Sequence, residues 1–68
     1  MEELANKLKE LRKRKGWSQA KVAERVPIDR TTYCKYESGR VEPPLSVCRM
    51  LCVVLDTTPN ELLGWDEK

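Results

Sequence analysis

The segment from Ser18 to Arg40 carries polar side chains that could read nucleic-acid bases. If a helix begins at Asp29, then Tyr33 and Tyr36 lie three residues apart on its inner side. The outer side then presents hydrogen-bond donors and two cations, on Arg30, Thr31, Cys34, Lys35 and Ser38. Such groups bind phosphates and the edges of bases. The pattern predicts sequence-specific DNA binding.

Two short helices with a sharp break between them would position these side chains. The first should begin at Ser18, whose hydroxyl can accept a hydrogen bond from a free N–H of the opening turn. Its apolar residues are Ala20, Val22, Ala23 and Val26. Pro27 ends it, because proline lacks an N–H and disfavours a helical conformation at the preceding residue. Asp29 caps the second helix and Gly39 supplies its left-handed end.

A longer helix is predicted before this pair, from about Glu2 to Lys15. Leu4, Leu8 and Leu11 lie on one face of it, at helical spacing. Acidic residues stand at its start and basic residues at its end, and both complement the helix dipole. Trp17 follows, in the apolar position just before a helix cap, where a core role is expected rather than a ligand contact.

Two further helices are predicted after Gly39, and no stretch alternates as a strand would. The fourth should start near Pro44 and run to Leu55, and its nearly continuous apolar surface predicts a central core helix. The fifth has the signal of a capping box, Thr58 to Glu61, with a proline at its first position and an end at Gly64.

The length of 68 residues predicts one domain, residues 1–68. No apolar run approaches the roughly 20 residues of a membrane span, and we expect a cytoplasmic protein that does not contact membranes. The chain has no histidine, no nucleophile and base pair and no phosphate-binding glycine loop, so we predict that it is not an enzyme and needs no cofactor.

Three cysteines, Cys34, Cys48 and Cys52, do not form a disulfide pattern. Cys48 and Cys52 share one helical face and could in principle hold a metal, but the chain lacks a histidine to help complete a site. The favoured interpretation is that they are core residues, with no metal.

Positive charge is concentrated in the first part of the chain. Residues 1–40 carry 11 Lys/Arg and 6 Asp/Glu, a net charge of +5, whereas residues 41–68 carry 2 and 5, a net charge of −3. This asymmetry predicts that one end of the domain faces a polyanion.

The order and spacing of several short motifs resemble the Cro and lambda-type repressor class of helix-turn-helix domains, also called XRE-like. The motifs are Leu11-Arg12, Trp17-Ser18-Gln19, Val22-Ala23, Ile28-Asp29, Tyr36-Glu37-Ser38-Gly39 and Leu55 through Leu63. The resemblance extends from Leu8 to Leu63. It implies an all-α, compact five-helix lambda-repressor-like domain whose second and third helices form the helix-turn-helix, in a prokaryotic or phage setting.

The resemblance also implies roles for individual residues. Base contacts would come from Gln19, Arg30, Thr31 and Lys35, with Cys34 at the margin. Phosphate contacts would come from Ser18, Lys21, Thr32, Ser38 and Arg40. Arg12 and Glu37 would form a structural salt bridge, which makes Arg12 part of the scaffold rather than a DNA contact.

The sequence departs from the family pattern at two positions. Pro27 replaces the usual glycine of the turn, and we expect proline to be unable to adopt the positive φ of that glycine. Lys21 replaces an acid three residues after the cap, which removes a capping box but adds a positive charge near the DNA side.

The expected partners are a double-stranded DNA operator and a second copy of the chain. Leu62, Leu63 and Trp65 are the predicted dimer surface. The alternative is a protein-interaction module, such as an antitoxin or anti-repressor, that uses the same fold. A domain that no longer bound DNA would be expected to lose the basic residues around its third helix. These residues are present, which favours DNA binding.

Overall fold

The computed structural model describes residues 2–63, which form five helices. These are α1 (Glu2–Lys15), α2 (Gln19–Arg25), α3 (Arg30–Ser38), α4 (Leu45–Val54) and α5 (Pro59–Leu63). This part of the chain contains no strand. The predicted all-α fold with five helices is confirmed, and α2 and α3 are the helix pair expected from the sequence.

One hydrophobic core joins all five helices. From α1 it contains Leu4, Leu8 and Leu11, at the spacing that predicted a buried face. The other helices and their ends contribute Val22, Ala23, Val26, Tyr33, Tyr36, Leu51, Cys52, Leu55 and Leu62. Because α1 packs against α3 and α5, and α2 packs against α3, the inner side of α3 is held by two helices.

Side-chain caps begin three of the helices. The Ser18 hydroxyl accepts a hydrogen bond from the Lys21 N–H at 3.1 Å, and the Asp29 carboxylate accepts one from the Thr31 N–H at 3.1 Å. The Thr58 hydroxyl accepts from the Glu61 N–H at 3.2 Å, which is one half of the predicted capping box. The Glu61 carboxylate accepts instead from the Thr57 hydroxyl at 3.0 Å. The predicted end of α5 at Gly64 lies outside the described residues.

The first four helices end in the same way. A residue with positive φ follows each helix: Gly16 (73°), Pro27 (29°), Gly39 (79°) and Asp56 (59°). The next N–H along the chain then bonds to the carbonyl five residues before it. These bonds run from Trp17 to Arg12, Ile28 to Ala23, Arg40 to Lys35 and Thr57 to Cys52, at 3.3, 3.0, 3.1 and 2.9 Å. This is the hydrogen bond of a Schellman motif, which satisfies carbonyls that the helix leaves free.

The expectation that Pro27 could not adopt a positive φ is wrong. Its φ of 29° departs from the value near −65° that the proline ring favours. The turn is maintained by the bond from the Ile28 N–H to the Ala23 carbonyl and by the complete burial of Val26. Proline supplies no N–H for the second bond of the motif, so this turn is the least favourable of the four.

The prediction that α4 is a central core helix is also wrong. Leu51 and Cys52 are buried, but Leu45 and Val53 are 75% and 80% exposed, and Met50 is also exposed. A ten-residue helix at the edge of the domain packs with one side only, so apolar composition alone does not bury it. No helix within residues 2–63 is long and apolar enough to cross a membrane.

Candidate nucleic-acid interface

The outer side of α3 is a row of exposed polar side chains. Arg30, Thr31, Lys35 and Ser38 are exposed, and Thr32 and Cys34 are partly exposed. Tyr33 and Tyr36 are buried on the other side, with their rings 6.5 Å apart and nearly perpendicular. The helical period thus separates an anchoring side from a side that is available to a ligand.

A buried ion pair connects α3 to α1. The Arg12 Nε donates to Glu37 Oε2 at 2.7 Å, and Arg12 Nη2 donates to Glu37 Oε1 at 3.2 Å. The side chains of Arg12 and Glu37 are only 13% and 2% exposed. Arg12 Nη1 also donates to the Trp17 carbonyl at 2.9 Å. A single guanidinium therefore binds both α3 and the segment that leads into α2.

The electrostatics of this pair favour its charged form. Burial alone would raise the pKa of Glu37, but the hydrogen bonds from Arg12 and Gln19, together with the Arg12 charge, outweigh it and lower that pKa. The Glu37 carboxylate likewise raises the pKa of Arg12. The Tyr33 hydroxyl is buried beside the pair, and burial, followed by the influence of Glu37, raises its pKa.

Gln19 is bound at both ends of its side-chain amide. Its Nε2 donates to Glu37 Oε1 at 3.0 Å, and its Oε1 accepts from the Cys34 thiol at 2.9 Å. The start of α2 is thereby joined to the outer side of α3. The family resemblance placed Cys34 only at the margin of the base contacts and did not indicate this contact. No spacing within a single helix signals this contact, because it joins α2 to α3 across 15 residues of the chain.

The residues predicted to contact phosphate lie at both ends of the helix pair. Ser18 and Lys21 belong to the first turn of α2, where they share the cap hydrogen bond. Ser38 is at the end of α3, where its hydroxyl donates to the Lys35 carbonyl at 3.0 Å. Arg40 follows and is exposed, and Thr32 is partly exposed within α3.

Trp17 is partly buried and packs against the core, which agrees with a structural role. Two cations flank its ring: Lys15 Nζ lies 5.5 Å and the Arg25 guanidinium carbon 5.2 Å from the ring centroid. These distances are typical of cation–π contacts. Trp17 therefore holds basic side chains from the ends of α1 and α2 next to the start of the helix pair.

The predicted dimer surface needs correction. Leu62 is 1% exposed, because the core already uses it, and its side chain is not available to a second chain. Leu63 is partly buried and packs against the same core. Trp65 lies outside the described residues. The large apolar side chains that are exposed within residues 2–63 are Val41, Leu45, Met50 and Val53.

Comparison with known families identifies the domain. Residues 3–64 match the family model described as "Helix-turn-helix domain". The chain belongs to the XRE-like helix-turn-helix family.

Relatives of this helix-turn-helix chain include bacterial regulators. It is 43% identical over 63 residues to the HTH-type transcriptional regulator AnsR of Bacillus subtilis (strain 168), a match that covers 93% of the chain and 54% of AnsR. It is 32% identical over 65 residues to the uncharacterized HTH-type transcriptional regulator YgzD of the same organism, covering 96% of the chain and 98% of YgzD. The SPbeta prophage-derived regulator YonR is 39% identical over 57 residues, covering 84% of the chain and 53% of YonR. The chain thus spans about half the length of AnsR and YonR.

A solved structure shares the fold of this helix-turn-helix domain. The crystal structure of the restriction-modification controller protein C.AhdI from Aeromonas hydrophila matches with a TM-score of 0.85 and 33% identity. The match covers 90% of this chain and 92% of C.AhdI.

Two cysteines of the helix-turn-helix domain, Cys48 and Cys52, lie outside α3. Both are packed against neighbouring residues. Cys52 is buried and Cys48 is partly buried, with the Cys48 thiol 3.7 Å from the Pro43 carbonyl. Burial raises the pKa of both thiols, with smaller contributions from Glu42 for Cys48 and from Cys48 for Cys52. Within residues 2–63, no three Cys, Asp or Glu side chains are grouped to hold a metal ion.

Proposed function

We propose that this domain is a transcriptional regulator that binds double-stranded DNA sequence-specifically, with α3 in the major groove. The observation that carries the proposal is the exposed row of donors on α3, whose inner side is fixed by Tyr33, Tyr36 and the buried Arg12–Glu37 pair. The regulators among its relatives support the same function.

Base reading would come from the outer side of α3. The Arg30 guanidinium can donate two hydrogen bonds to guanine O6 and N7, and the Thr31 methyl can contact the methyl of thymine. Lys35 lies one helical turn after Thr31 and can donate to guanine or to a phosphate. Each good contact discriminates between bases by about 1–3 kcal/mol.

Phosphate contacts on either side of the groove would supply most of the affinity. Ser18 and Lys21 can bind one strand from the first turn of α2, while Arg40 can bind the backbone from the end of α3. Ser38 can join it when its hydroxyl hydrogen turns from the Lys35 carbonyl to a phosphate oxygen. Thr32 can add a hydroxyl beside the base-reading side chains. The net charge of +5 in residues 1–40 supports this orientation, because the basic part of the chain contains both helices of the pair.

Two copies are proposed to bind together, each placing one α3 in the groove of a half-site. The revised pairing surface is the exposed apolar side of α4, formed by Leu45, Met50 and Val53. Arg49 lies between Leu45 and Val53 along the helix, and its aliphatic stem can extend the apolar surface while its charge stays in water. Joining such exposed apolar surfaces removes them from water.

The test of DNA binding is selection of bound sequences from a random duplex pool, at low and at near-physiological salt. The expected product is an inverted repeat with half-site centres about 10 base pairs apart. Binding that is blind to sequence and vanishes at the higher salt would contradict the proposal, and a protein partner for α3 would then be the better interpretation.

The pairing surface has its own test. We expect the wild-type chain to have a dimeric mass in solution and Val53→Glu to be monomeric, because the substitution places a charge within the apolar surface. Val41→Glu is the matched control, since Val41 is also exposed but precedes α4, and this variant should remain dimeric. A monomeric wild type at high concentration would refute dimerisation, whereas a dimeric Val53→Glu would refute α4 as the surface. Sedimentation or light scattering gives the masses.

A further inference from the structure

The side-chain amide of Gln19 has a defined orientation before any ligand arrives. An ionised carboxylate can only accept hydrogen bonds, so the end of the amide that faces Glu37 must be the NH₂ group. The carbonyl oxygen must then face Cys34, whose thiol is the donor at 2.9 Å. The two contacts specify the same orientation.

These contacts use half of the hydrogen-bonding capacity of the amide. The NH₂ group has two hydrogens and the carbonyl oxygen has two lone pairs. Within residues 2–63, one hydrogen is given to Glu37 and one lone pair accepts from Cys34. One donor and one acceptor remain, and this is the combination that binds adenine through its N7 and N6 groups.

We propose that Cys34 is a positioning residue, whose thiol holds the Gln19 amide in the orientation that reads an A·T base pair at the edge of each half-site. The inference rests on the proposed function. Cys34 lies between Arg30 and Ser38 on the outer side of α3, so the amide that it holds lies beside the base-reading side chains. Without the thiol, Glu37 alone holds the amide, which can then turn about that one contact.

The first experiment compares the variants in the free protein. In the wild type, the Gln19 side-chain NH₂ signals in a nitrogen–proton NMR spectrum should be well separated and exchange slowly with solvent. Cys34→Val removes the donor while keeping a side chain of similar size, and should shift these signals and speed their exchange. Cys34→Ser keeps a donor and should preserve them, and Cys48→Val is the control for loss of a thiol elsewhere. Unchanged Gln19 signals in Cys34→Val would overturn the proposal.

The second experiment repeats the selection from the random duplex pool. Cys34→Val and Gln19→Ala should lose the preference at the same base pair of each half-site, by roughly 5- to 150-fold, while the rest of the site is retained. Cys34→Ser and Cys48→Val should select the wild-type site. If the wild type selects a site and Cys34→Val selects the identical one, this inference fails while the proposed function stands. If the wild type selects no site, the proposed function fails, and the inference with it.

Discussion

Replacing Glu37 with glutamine tests whether its charge holds α3 in place. Glu37→Gln keeps the shape of the side chain but leaves the Arg12 guanidinium, only 13% exposed, without a carboxylate. Removing one partner of a buried ion pair costs about 3–5 kcal/mol. Because Arg12 retains its bond to the Trp17 carbonyl, we expect the lower end, about 3 kcal/mol. A domain of this size has a total stability of roughly 3–10 kcal/mol.

The loss should be measured by thermal unfolding, where it predicts a Tm lower by more than about 10 °C. Glu10→Gln is the matched control. Glu10 is exposed, with ion-pair distances of 3.6 Å to Lys7 and 2.9 Å to Arg14. Exposed pairs contribute about 0–1 kcal/mol, so the control should change Tm by only a few degrees.

The pH dependence of stability gives an independent check on the same charge. The pKa of Glu37 is lowered in the folded state, so the carboxylate stabilises the fold above its unfolded pKa of about 4.3. That contribution is lost as the pH falls through the lower, folded-state pKa. The stability difference between wild type and Glu37→Gln should therefore be greatest near neutral pH and shrink in acid. A Tm equal to that of Glu10→Gln, or a difference that does not depend on pH, would refute the role of the charge.

Three further predictions concern the DNA contacts and the helix ends. Arg30→Ala should lower the affinity for a selected site more than the affinity for random DNA. Lys21→Ala should lower the two affinities about equally and reduce their dependence on salt. If binding titrations gave the same pattern for the two variants, these roles would be contradicted. Pro27→Gly should raise the free energy of unfolding by about 1 kcal/mol, because it relieves the strain of the proline ring and restores an N–H. Pro59→Gly, at the start of α5, should lower it. Denaturant unfolding measures both changes, and a lower stability of Pro27→Gly would contradict the account of the turn. Gly16→Ala should lower the free energy of unfolding by about 1 kcal/mol, because alanine disfavours the φ of 73° at this position. The effect is not steric, since no atom lies within 4 Å of the added carbon. An unchanged unfolding midpoint would show that the turn adapts.

Local signals in the sequence predicted the helices well. Ser18, Asp29 and Thr58 each cap the helix that they were expected to begin, and Gly39 has the positive φ expected of a helix end. These features depend on a few neighbouring residues, so chain order is sufficient to find them. The inward position of Tyr33 likewise follows from helical periodicity alone.

Features that depend on packing between helices were not predictable in the same way. Leu62 and Val53 are both apolar and both helical, yet one is buried and the other exposed, because only the packing of α5 against α1 and of α4 against α5 decides which side faces the core. The contact between Cys34 and Gln19 joins residues 15 positions apart on two helices. No periodic pattern within one helix contains such a contact.

The Arg12 side chain has a consequence for the order in which the domain opens. Its guanidinium contacts α3 and the residue before the cap of α2, while its backbone belongs to α1. Opening of α1 would therefore remove support from both helices of the pair, and amide hydrogens in α3 should exchange with solvent only when α1 also opens. A ligand that binds the folded form through α3 would, by the same linkage, slow exchange in α1, which it does not touch.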